Sequence, residues 1–158
     1  MNYSISCMNL KDLPEVMELE MGCFASPWCE QAFRDELARE FSHIFLARDD
    51  GGSLIGFICF WVLLGEMHIL NLAVRTDARR KGYGRSLVLE ALDFAAGMGA
   101  RSATLEVREK NVAAVRLYER LGFVRAGMRK GYYEFPRDNA VIMWVHNIVE
   151  MLEKSLEV

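Results

Sequence analysis

The fold is decided by the stretch Leu72-Ala73-Val74-Arg75-Thr76-Asp77-Ala78-Arg79-Arg80-Lys81-Gly82-Tyr83-Gly84-Arg85. An apolar strand runs into a loop with two glycines, and that loop opens directly into an amphipathic helix. Glycine lets the backbone approach a ligand without a Cβ clash, and the first N–H groups of a helix lack an intrahelical partner. The helix dipole adds positive charge, and so do five cations, Arg75, Arg79, Arg80, Lys81 and Arg85. The stretch therefore predicts a site for an anion with several phosphates.

The pattern of this loop narrows the choice of phosphate ligand. A Walker loop needs G-x-x-x-x-G-K-[ST], which the chain lacks, and the dinucleotide fingerprint needs a third glycine where Leu87 stands. The chain instead carries R-x-x-G-x-G from Arg79 to Gly84. Such a hexapeptide also occurs as a solvated basic turn, but its position directly after a strand favours a phosphate loop.

Length and composition exclude several classes of protein. The chain has 158 residues, 52% of them hydrophobic, which is enough apolar material for one packed domain over residues 1–158. The formal net charge is −3 at pH 7, whereas a dedicated nucleic-acid binder would carry a basic excess. We therefore expect no nucleic-acid partner.

Cysteine spacing and apolar runs bear on metal sites and membranes. Cys7, Cys23, Cys29 and Cys59 form no C-x-x-C pair, so we expect them to be packing residues and expect no metal site. Residues 1–8 lack the features of a secretory signal, and the longest apolar run, residues 57–64, is far shorter than a bilayer span of ~20 residues. These features predict a soluble, cytoplasmic protein that does not enter a membrane.

Hydrophobic periodicity predicts an α/β fold. Helix-start signals occur at Asp12 and at Ser26-Pro27, and further helices are predicted at residues 85–97 and 111–121. Strands are predicted at residues 3–8, 43–48, 54–64, 67–74, 102–107, 123–128 and 140–145, with a loop holding Tyr132, Tyr133 and Pro136. The alternation of strands and helices in the second half predicts parallel central strands. Residues 148–158 form an apolar helical stripe, which indicates either a helix covering an exposed edge or a dimer contact.

Glu106 is unusual for its place in the sequence. It lies in a segment, residues 103–107, that reads as an interior parallel strand, and such a strand should be almost wholly apolar. Ligands bind beyond the carboxyl ends of the strands in open α/β sheets. Glu106 is therefore a candidate general base for an ammonium, and the alternative is a strand-end carboxylate paired with Arg108 or another cation.

The second half of the chain resembles a known family. The segment Leu105-Glu106-Val107-Arg108, followed by Asn111, Ala113-Ala114, Leu117-Tyr118-Glu119 and Leu121-Gly122-Phe123, is similar to the second signature of the GNAT superfamily of N-acetyltransferases. The loop from Arg79 to Gly84 resembles the acetyl-CoA pyrophosphate loop of the same family. This resemblance implies a GNAT fold, with a mixed central sheet of six to seven strands flanked by about four helices.

One branch of the family is similar in further segments. Arg129 with Tyr132-Tyr133, then Asp138-Asn139-Ala140, and Trp28 after Ser26-Pro27, resemble the RimI-type protein N-terminal acetyltransferases. Members of that branch modify the N-terminal alanine of a small-subunit ribosomal protein. The resemblance implies the same acceptor here, with acetyl-CoA as co-substrate. We expect the chain to be a monomer or weak dimer. Alternatives are another protein N-terminus, a lysine, a small amine, or a non-catalytic acyl-CoA sensor.

The resemblance also assigns roles to single residues. It implies that Glu106 accepts a proton and that Tyr118 donates one to the departing thiolate, in a direct transfer without a covalent enzyme intermediate. Tyr118 has a structural alternative, which is to pack its ring beneath the sheet. The implied contacts to the co-substrate come from Leu72, Ala73, Val74, Arg79, Arg80, Lys81, Gly82, Tyr83, Gly84, Arg85 and Asn111.

Besides Tyr118, three further candidate roles have structural alternatives. Asn111 equally suits a cap of its own helix. The candidate walls of the acceptor slot are Trp28, Tyr132 and Tyr133. For these, the alternatives are a core helix anchor for Trp28 and a packed hairpin for the tyrosine pair.

Overall fold

A mixed seven-stranded sheet runs through the computed structural model, which describes residues 2–157. The strands are β1 (Tyr3–Cys7), β2 (Ser42–Asp49), β3 (Leu54–Leu63), β4 (Glu66–Val74), β5 (Ser102–Arg108), β6 (Val124–Glu134) and β7 (Arg137–Val145). The helices are α1 (Leu13–Cys23), α2 (Glu30–Ala38), α3 (Tyr83–Gly97), α4 (Val112–Leu121) and α5 (Ile148–Ser155), and short 3-10 turns cover Leu10–Asp12 and Thr76–Ala78. The predicted fold class is confirmed, with five α-helices in the described part of the chain where about four were expected.

The strand order is β1-β2-β3-β4-β5-β7-β6, and β4 and β5 are the parallel pair. Helix α3 lies in the crossover that a parallel pair requires. The prediction of parallel central strands is wrong for the other side of β5. There β7 returns from the β6–β7 hairpin and inserts antiparallel between β5 and β6.

Helices cover both faces of the sheet, so β3 is buried along its first seven residues. On one face α3, α4 and α5 pack in the larger cluster, which includes Leu87, Leu92, Val115, Leu121 and Ile148. On the other face α1 and α2 pack in a smaller cluster, where Phe33 and Phe57 are fully buried. Each of these two rings contributes about 1.5–3 kcal/mol by leaving water. Packing against these two clusters fixes the position of the middle of the sheet.

Helix α2 begins later than predicted. It starts at Glu30 with Cys29 as its N-cap, so the predicted start at Ser26-Pro27 is wrong. The backbone N–H of Trp28 donates to the carboxylate of Glu20, which holds this residue in the loop between α1 and α2. Trp28 therefore lies in a loop and not on a helix.

Strand β6 continues past its predicted end and contains both Tyr132 and Tyr133, so the loop predicted there is wrong. Residues 130–132 bulge opposite the single Asn139 of β7. Gly131 has a φ of 62°, and its N–H donates to Asn139 Oδ1 at 2.9 Å. The bulge lets β6 continue beyond residue 129, and Tyr132 and Tyr133 lie in this continuation.

The C-terminal segment forms α5, whose residues Ile148 and Met151 are buried in the larger cluster. Asn147 caps it by accepting a bond from the N–H of Glu150 at 3.0 Å. Leu156, just beyond the helix, is 86% exposed. Residue 158 of the predicted tail, like residue 1 of the predicted N-terminal segment, lies outside the described residues.

The cysteines differ in their surroundings. Cys59 is fully buried, and burial together with the nearby Glu36 charge raises the pKa of its thiol to about 12. Cys23 is half-buried, whereas Cys7 and Cys29 are exposed. The prediction that the cysteines are packing residues is therefore wrong for Cys7 and Cys29.

Candidate functional site

Strands β4 and β5 separate in the middle of the sheet. They pair from Glu66 opposite Ser102 to Ile69 opposite Leu105 and no further. Beyond this point β4 pairs with β3 alone, and β5 pairs with β7 alone. Residues 70–74 therefore present one backbone edge to a gap, where an extended ligand can pair as an added strand.

A β-bulge lies at the point of separation. Asn71 pairs with Cys59 and Ile69 pairs with Phe60, so Leu70 is the extra residue of β4. Leu70 packs with the smaller cluster and the Asn71 side chain reaches α1, so these consecutive residues face the same side. The alternation then resumes with Leu72 against the larger cluster. The bulge thus resets which side chains of β4 face each layer.

The loop after β4 ends at the N-terminus of α3. Arg80 and Gly82 both have a positive φ, 64° and 88°, and Gly82 is the N-cap of α3. The first intrahelical bond runs from Ser86 N–H to Gly82 O at 3.0 Å. The N–H groups of residues 83–85 find no acceptor within residues 2–157, and they can therefore bind an anion.

The five cations predicted around this loop divide into two groups. Arg75 turns away, since its Nε donates to Asp77 Oδ1 at 2.6 Å and its Nη1 to Leu54 O at 3.0 Å. Arg79 Nε donates to Val74 O at 3.0 Å, which joins the loop to the end of β4. Arg80, Lys81 and Arg85 are exposed and form neither an ion pair nor a side-chain hydrogen bond with any described residue. The prediction that five cations serve the anion site is therefore wrong for Arg75, whose charge is paired with Asp77.

Glu106 lies within β5, where its backbone pairs with Ile142, and not at a frayed strand end. Its neighbours Leu105 and Val107 pack in the larger cluster, so the Glu106 side chain points to the opposite face. The carboxylate lies 3.6 Å from Arg129 Nη2, which is the cation partner that the structural alternative required. The expected alternative partner, Arg108, instead places its guanidinium 4.1 Å from the centre of the Tyr133 ring.

His68 of β4 lies on the same side of the gap as Glu106. It is opposite Thr104, two residues before Glu106 on β5, and its charge environment includes Glu106, Glu66 and Arg129. Burial lowers the pKa of the imidazole, and the two carboxylates oppose this effect. The sequence analysis assigned no role to His68, although a histidine within a predicted strand was a usable signal.

Tyr118 lies on α4 in the opposite layer from the Glu106 side chain. It is buried, and its ring packs on Phe123 with a centroid distance of 5.5 Å, as the structural alternative expected. Burial raises the pKa of its hydroxyl above the usual range, so the hydroxyl stays protonated. The predicted base and acid therefore lie on opposite faces of the sheet.

Asn111 caps α4. Its Oδ1 accepts a bond of 3.2 Å from the N–H of Ala114, so the capping alternative is present in the structure. The amide nitrogen of Asn111 has no partner within residues 2–157 and remains able to bind a ligand. The two roles are compatible, since they use different atoms.

The three predicted acceptor residues lie on two segments that touch. The half-buried Trp28 packs on Phe33 with ring centroids 5.2 Å apart, in keeping with the helix-anchor alternative. Tyr132 is 49% exposed and packs edge-on to Tyr133. Ser26 Oγ in the α1–α2 loop donates a hydrogen bond to Phe135 O in the β6–β7 turn. The structure thus brings the loop of Trp28 against the hairpin that carries both tyrosines.

Comparison with known proteins identifies the family. The profile of the Acetyltransferase (GNAT) family matches residues 13–123. The chain belongs to the GNAT family of acetyltransferases. This GNAT chain is 34% identical to the [Ribosomal protein bS18]-alanine N-acetyltransferase of Escherichia coli (strain K12) over 142 residues, 89% of this chain and 95% of that protein. It is 35% identical to the N-alpha-acetyltransferase RimI of Mycobacterium tuberculosis over 147 residues, covering 89% and 90%.

Solved structures agree with this assignment. The crystal structure of the ribosomal-protein-S18-alanine N-acetyltransferase from Escherichia coli superposes with a TM-score of 0.83, covering 90% of this chain and 92% of that one at 34% identity. The acetyl-CoA complex of Arabidopsis thaliana NAA60 gives a TM-score of 0.83 at 19% identity, covering 91% and 98%, and shows the shared fold alone. The predictions of a GNAT fold and of an acetyl-CoA-dependent N-acetyltransferase are confirmed.

The GNAT site contains one charged residue that the sequence analysis missed. Glu20 of α1 is 1% exposed, and its carboxylate accepts bonds from Trp28 N–H at 2.9 Å and Asn71 Nδ2 at 2.8 Å. Burial raises the pKa of this carboxyl, against the lowering effect of the two bonds. Its position in the buried stripe with Leu13 and Val16 was the available signal, because a carboxylate there needs a polar partner.

Two further observations concern the described part of this GNAT chain. Within residues 2–157, no helix combines the length and the apolar character that a membrane crossing needs. Over the same residues, His, Cys, Asp and Glu side chains do not come together in groups of three or more that could hold a metal ion.

Proposed function

We propose that this chain transfers the acetyl group of acetyl-CoA to the N-terminal amine, an alanine, of a small-subunit ribosomal protein. The observation that carries the proposal is the gap between β4 and β5 with the Glu106 carboxylate at its side. Relatives at 34–35% identity are named for this N-terminal reaction, and they align over nearly the whole chain.

The co-substrate fits the backbone of the gap and the loop beyond it. Acetyl-CoA supplies an acetyl thioester on a pantetheine arm with phosphates at its far end. The edge at Leu72, Ala73 and Val74 pairs with no strand on the side of β5, and it suits the amide groups of the arm. The phosphates fit the loop of Arg79, Arg80, Lys81, Gly82, Tyr83, Gly84 and Arg85, with Asn111 adding its free amide nitrogen.

Glu106 and Tyr118 carry the proton transfers in this proposal. Glu106 accepts the proton of the acceptor ammonium, directly or through a water, which leaves a neutral amine able to attack the acetyl carbonyl. Tyr118 donates its hydroxyl proton to the departing thiolate, and the raised pKa of Tyr118 keeps that proton available. The attacking nitrogen loses its second proton as the amide forms, and this proton replaces the one that Tyr118 has given. Because the amine attacks directly, no covalent enzyme intermediate is needed, and orientation in the gap supplies much of the rate.

The acceptor slot favours a peptide N-terminus over a polyamine. Trp28, Tyr132 and Tyr133 supply aromatic walls on two touching segments. Two guanidinium groups, of Arg108 and Arg129, lie at Tyr133 and Tyr132. A peptide presents one positive charge followed by neutral amides, whereas a polyamine would bring several charges against these cations.

A thiol-release assay with acetyl-CoA tests this proposal. Peptides that begin with Ala, Ser, Met or Gly are compared with spermidine and free lysine at equal concentration. Turnover highest for the Ala peptide supports the proposal. Rapid turnover of spermidine or lysine without peptide turnover would favour a small-amine enzyme, and acetyl-CoA binding without any turnover would favour an acyl-CoA sensor.

The remaining predictions are also carried forward as proposals. We infer that residues 1–158 act as a single domain that works as a monomer or weak dimer in the cytoplasm, without nucleic acid or metal. Size-exclusion chromatography with light scattering and an activity assay in the presence of a chelator test these points.

A further inference from the structure

The ion pair between Arg129 and Glu106 is loose. The two atoms, Arg129 Nη2 and Glu106 Oε1, lie 3.6 Å apart, which is longer than a hydrogen bond. The Arg129 side chain is 54% exposed, whereas that of Glu106 is only 20% exposed. The guanidinium can therefore leave at little cost while the carboxylate stays in place.

In the same conformation this guanidinium also contacts an aromatic ring. The Arg129 guanidinium is 5.4 Å from the centre of the Tyr132 ring, within the range of a cation–π contact. Tyr132 stands on the bulge of β6, which Asn139 holds through the N–H of Gly131. Arg129 is thus placed between a carboxylate and an exposed aromatic face.

The charges around Glu106 require such an exchange. The titratable groups on its side of the sheet are His68 from β4, Arg108 from β5, and Arg129 and Tyr133 from β6. The Arg108 guanidinium is held by the carbonyl oxygens of Phe135 and Pro136, which leaves Arg129 as the ion-pair partner of Glu106. Burial lowers the pKa of His68 and raises the pKa of Tyr133, so both side chains tend to be neutral. An acceptor ammonium at Glu106 would therefore meet the guanidinium as a like charge unless that guanidinium moves.

We propose that Arg129 is a placeholder counter-ion, whose guanidinium balances Glu106 in the empty site and is displaced from the carboxylate by the α-ammonium of the acceptor while it keeps its contact with the Tyr132 ring. The inference rests on the proposed function, since it takes Glu106 as the group that meets the acceptor amine. One cation thus replaces another as the partner of the Glu106 carboxylate. Arg129 is a positioning residue and takes no part in the proton transfer.

Binding of an unreactive acceptor tests the displacement. The probe is a peptide that begins with N,N-dimethylalanine, whose tertiary amine is cationic but cannot form an amide, and its Kd is measured by calorimetry. Arg129→Ala removes the competing cation, so the Kd is expected to fall about two- to fivefold, the range of an exposed ion pair. Arg129→Lys retains a cation and should leave the Kd near that of the wild type.

Arg125 supplies the matched control. It lies on the same strand, is 55% exposed and pairs with Glu119 at 3.7 Å, so Arg125→Ala removes a similar ion pair away from Glu106. Arg125→Ala should not change the Kd. Unchanged or weaker binding by Arg129→Ala would overturn the placeholder role, and Arg129→Gln repeats the test if the alanine variant does not fold.

Kinetics with a reactive peptide separate this role from a structural one. Loss of the competing cation should lower the KM for the peptide and leave kcat unchanged, whereas a damaged site would raise KM. The two proposals also fail differently. A wild-type chain that binds no peptide contradicts the proposed function, whereas peptide binding that Arg129→Ala does not strengthen contradicts only the counter-ion.

Discussion

The Glu20 carboxylate on α1 accepts a hydrogen bond of 2.8 Å from the side-chain amide of Asn71 on β4. Its other oxygen accepts a bond of 2.9 Å from the backbone N–H of Trp28. One buried carboxylate thus connects the helix, the loop after it and the strand beside the gap. Because Asn71 directly follows the bulge at Leu70, this contact holds β4 at the point where it leaves β5.

Truncation of Glu20 should destabilise the fold. Glu20→Ala leaves the Trp28 N–H and the Asn71 amide without their acceptor, so we expect the free energy of unfolding to fall by about 2–3 kcal/mol. Urea unfolding followed by circular dichroism measures this change. Glu18→Ala, at an exposed position of the same helix, is the control, and equal losses in the two variants would contradict the argument.

Replacement of Glu20 by neutral glutamine should change the free energy of unfolding in a pH-dependent way, and in the direction opposite to Glu20→Ala. Burial raises the pKa of this carboxyl above its ordinary value of 4.5, so the folded state disfavours its ionised form. The wild type then loses stability relative to Glu20→Gln as the pH rises above 4.5, and the difference is constant at lower pH, where both side chains are neutral. Unfolding curves at a series of pH values test the sign. A difference that does not vary with pH would rule out the charge as its cause.

Removal of the proposed base or acid should slow the reaction without loss of the co-substrate. Glu106→Gln and Tyr118→Phe are each expected to lower kcat by about 100-fold or more, the usual contribution of a positioned proton-transfer group. Steady-state kinetics give kcat, and calorimetry with CoA shows whether the phosphate loop is intact. Because burial raises the pKa of Tyr118, the loss in Tyr118→Phe should be similar throughout the neutral pH range. Full activity of both variants would contradict the assigned roles.

A methyl group at Gly56 of β3 should disturb the neighbouring strand β4, whose residues 72–74 form the edge proposed to bind the co-substrate. A Cβ there would lie 2.6 Å from Ala73 O, so the backbone of β4 must shift. We expect Gly56→Ala to cost about 1–3 kcal/mol of stability and to weaken CoA binding. Gly22→Ala is the control, since a Cβ at this helical position meets nothing within 4 Å. Normal CoA affinity in Gly56→Ala would show that the edge does not depend on this close approach.

The contact between the α1–α2 loop and the β6–β7 turn should affect the acceptor alone. Ser26→Ala removes the hydrogen bond to Phe135 O, which joins the two segments that carry Trp28 and the tyrosines. The KM for the peptide is expected to rise, while the KM for acetyl-CoA stays the same because the phosphate loop is on another segment. Kinetics with each substrate varied in turn distinguish these effects. Equal increases in both KM values would indicate a general loss of structure.

Local chemistry made much of the site predictable from the sequence. The αL glycine at position 82 and the start of α3 follow each other directly in the chain, so the phosphate loop left a contiguous signal. Glu106 was recognisable because a carboxylate inside an interior strand conflicts with its surroundings. The sequence analysis considered both a co-substrate contact and a helix cap for Asn111, and the structure shows the cap.

Other features depend on register and on distant partners, and these were missed. The bulge at Leu70 and the separation of β4 from β5 are differences in pairing between strands, which leave no mark on the composition of either strand. The insertion of β7 beside β5 follows from a hairpin that closes only in three dimensions. Arg75 was misjudged, although Asp77 two residues later was a visible partner.

The extra residue at position 70 makes the geometry of the gap a property of strand length. Deletion of that one residue would let an unbroken β4 continue its ladder with β3, and residues 71–74 would keep their partners on β3 and their faces of the sheet, because Leu70 and Asn71 already face the same side. Only the bend that a bulge gives its strand would be lost. A single-codon deletion is therefore expected to narrow the gap between β4 and β5 while every side chain along it keeps its face.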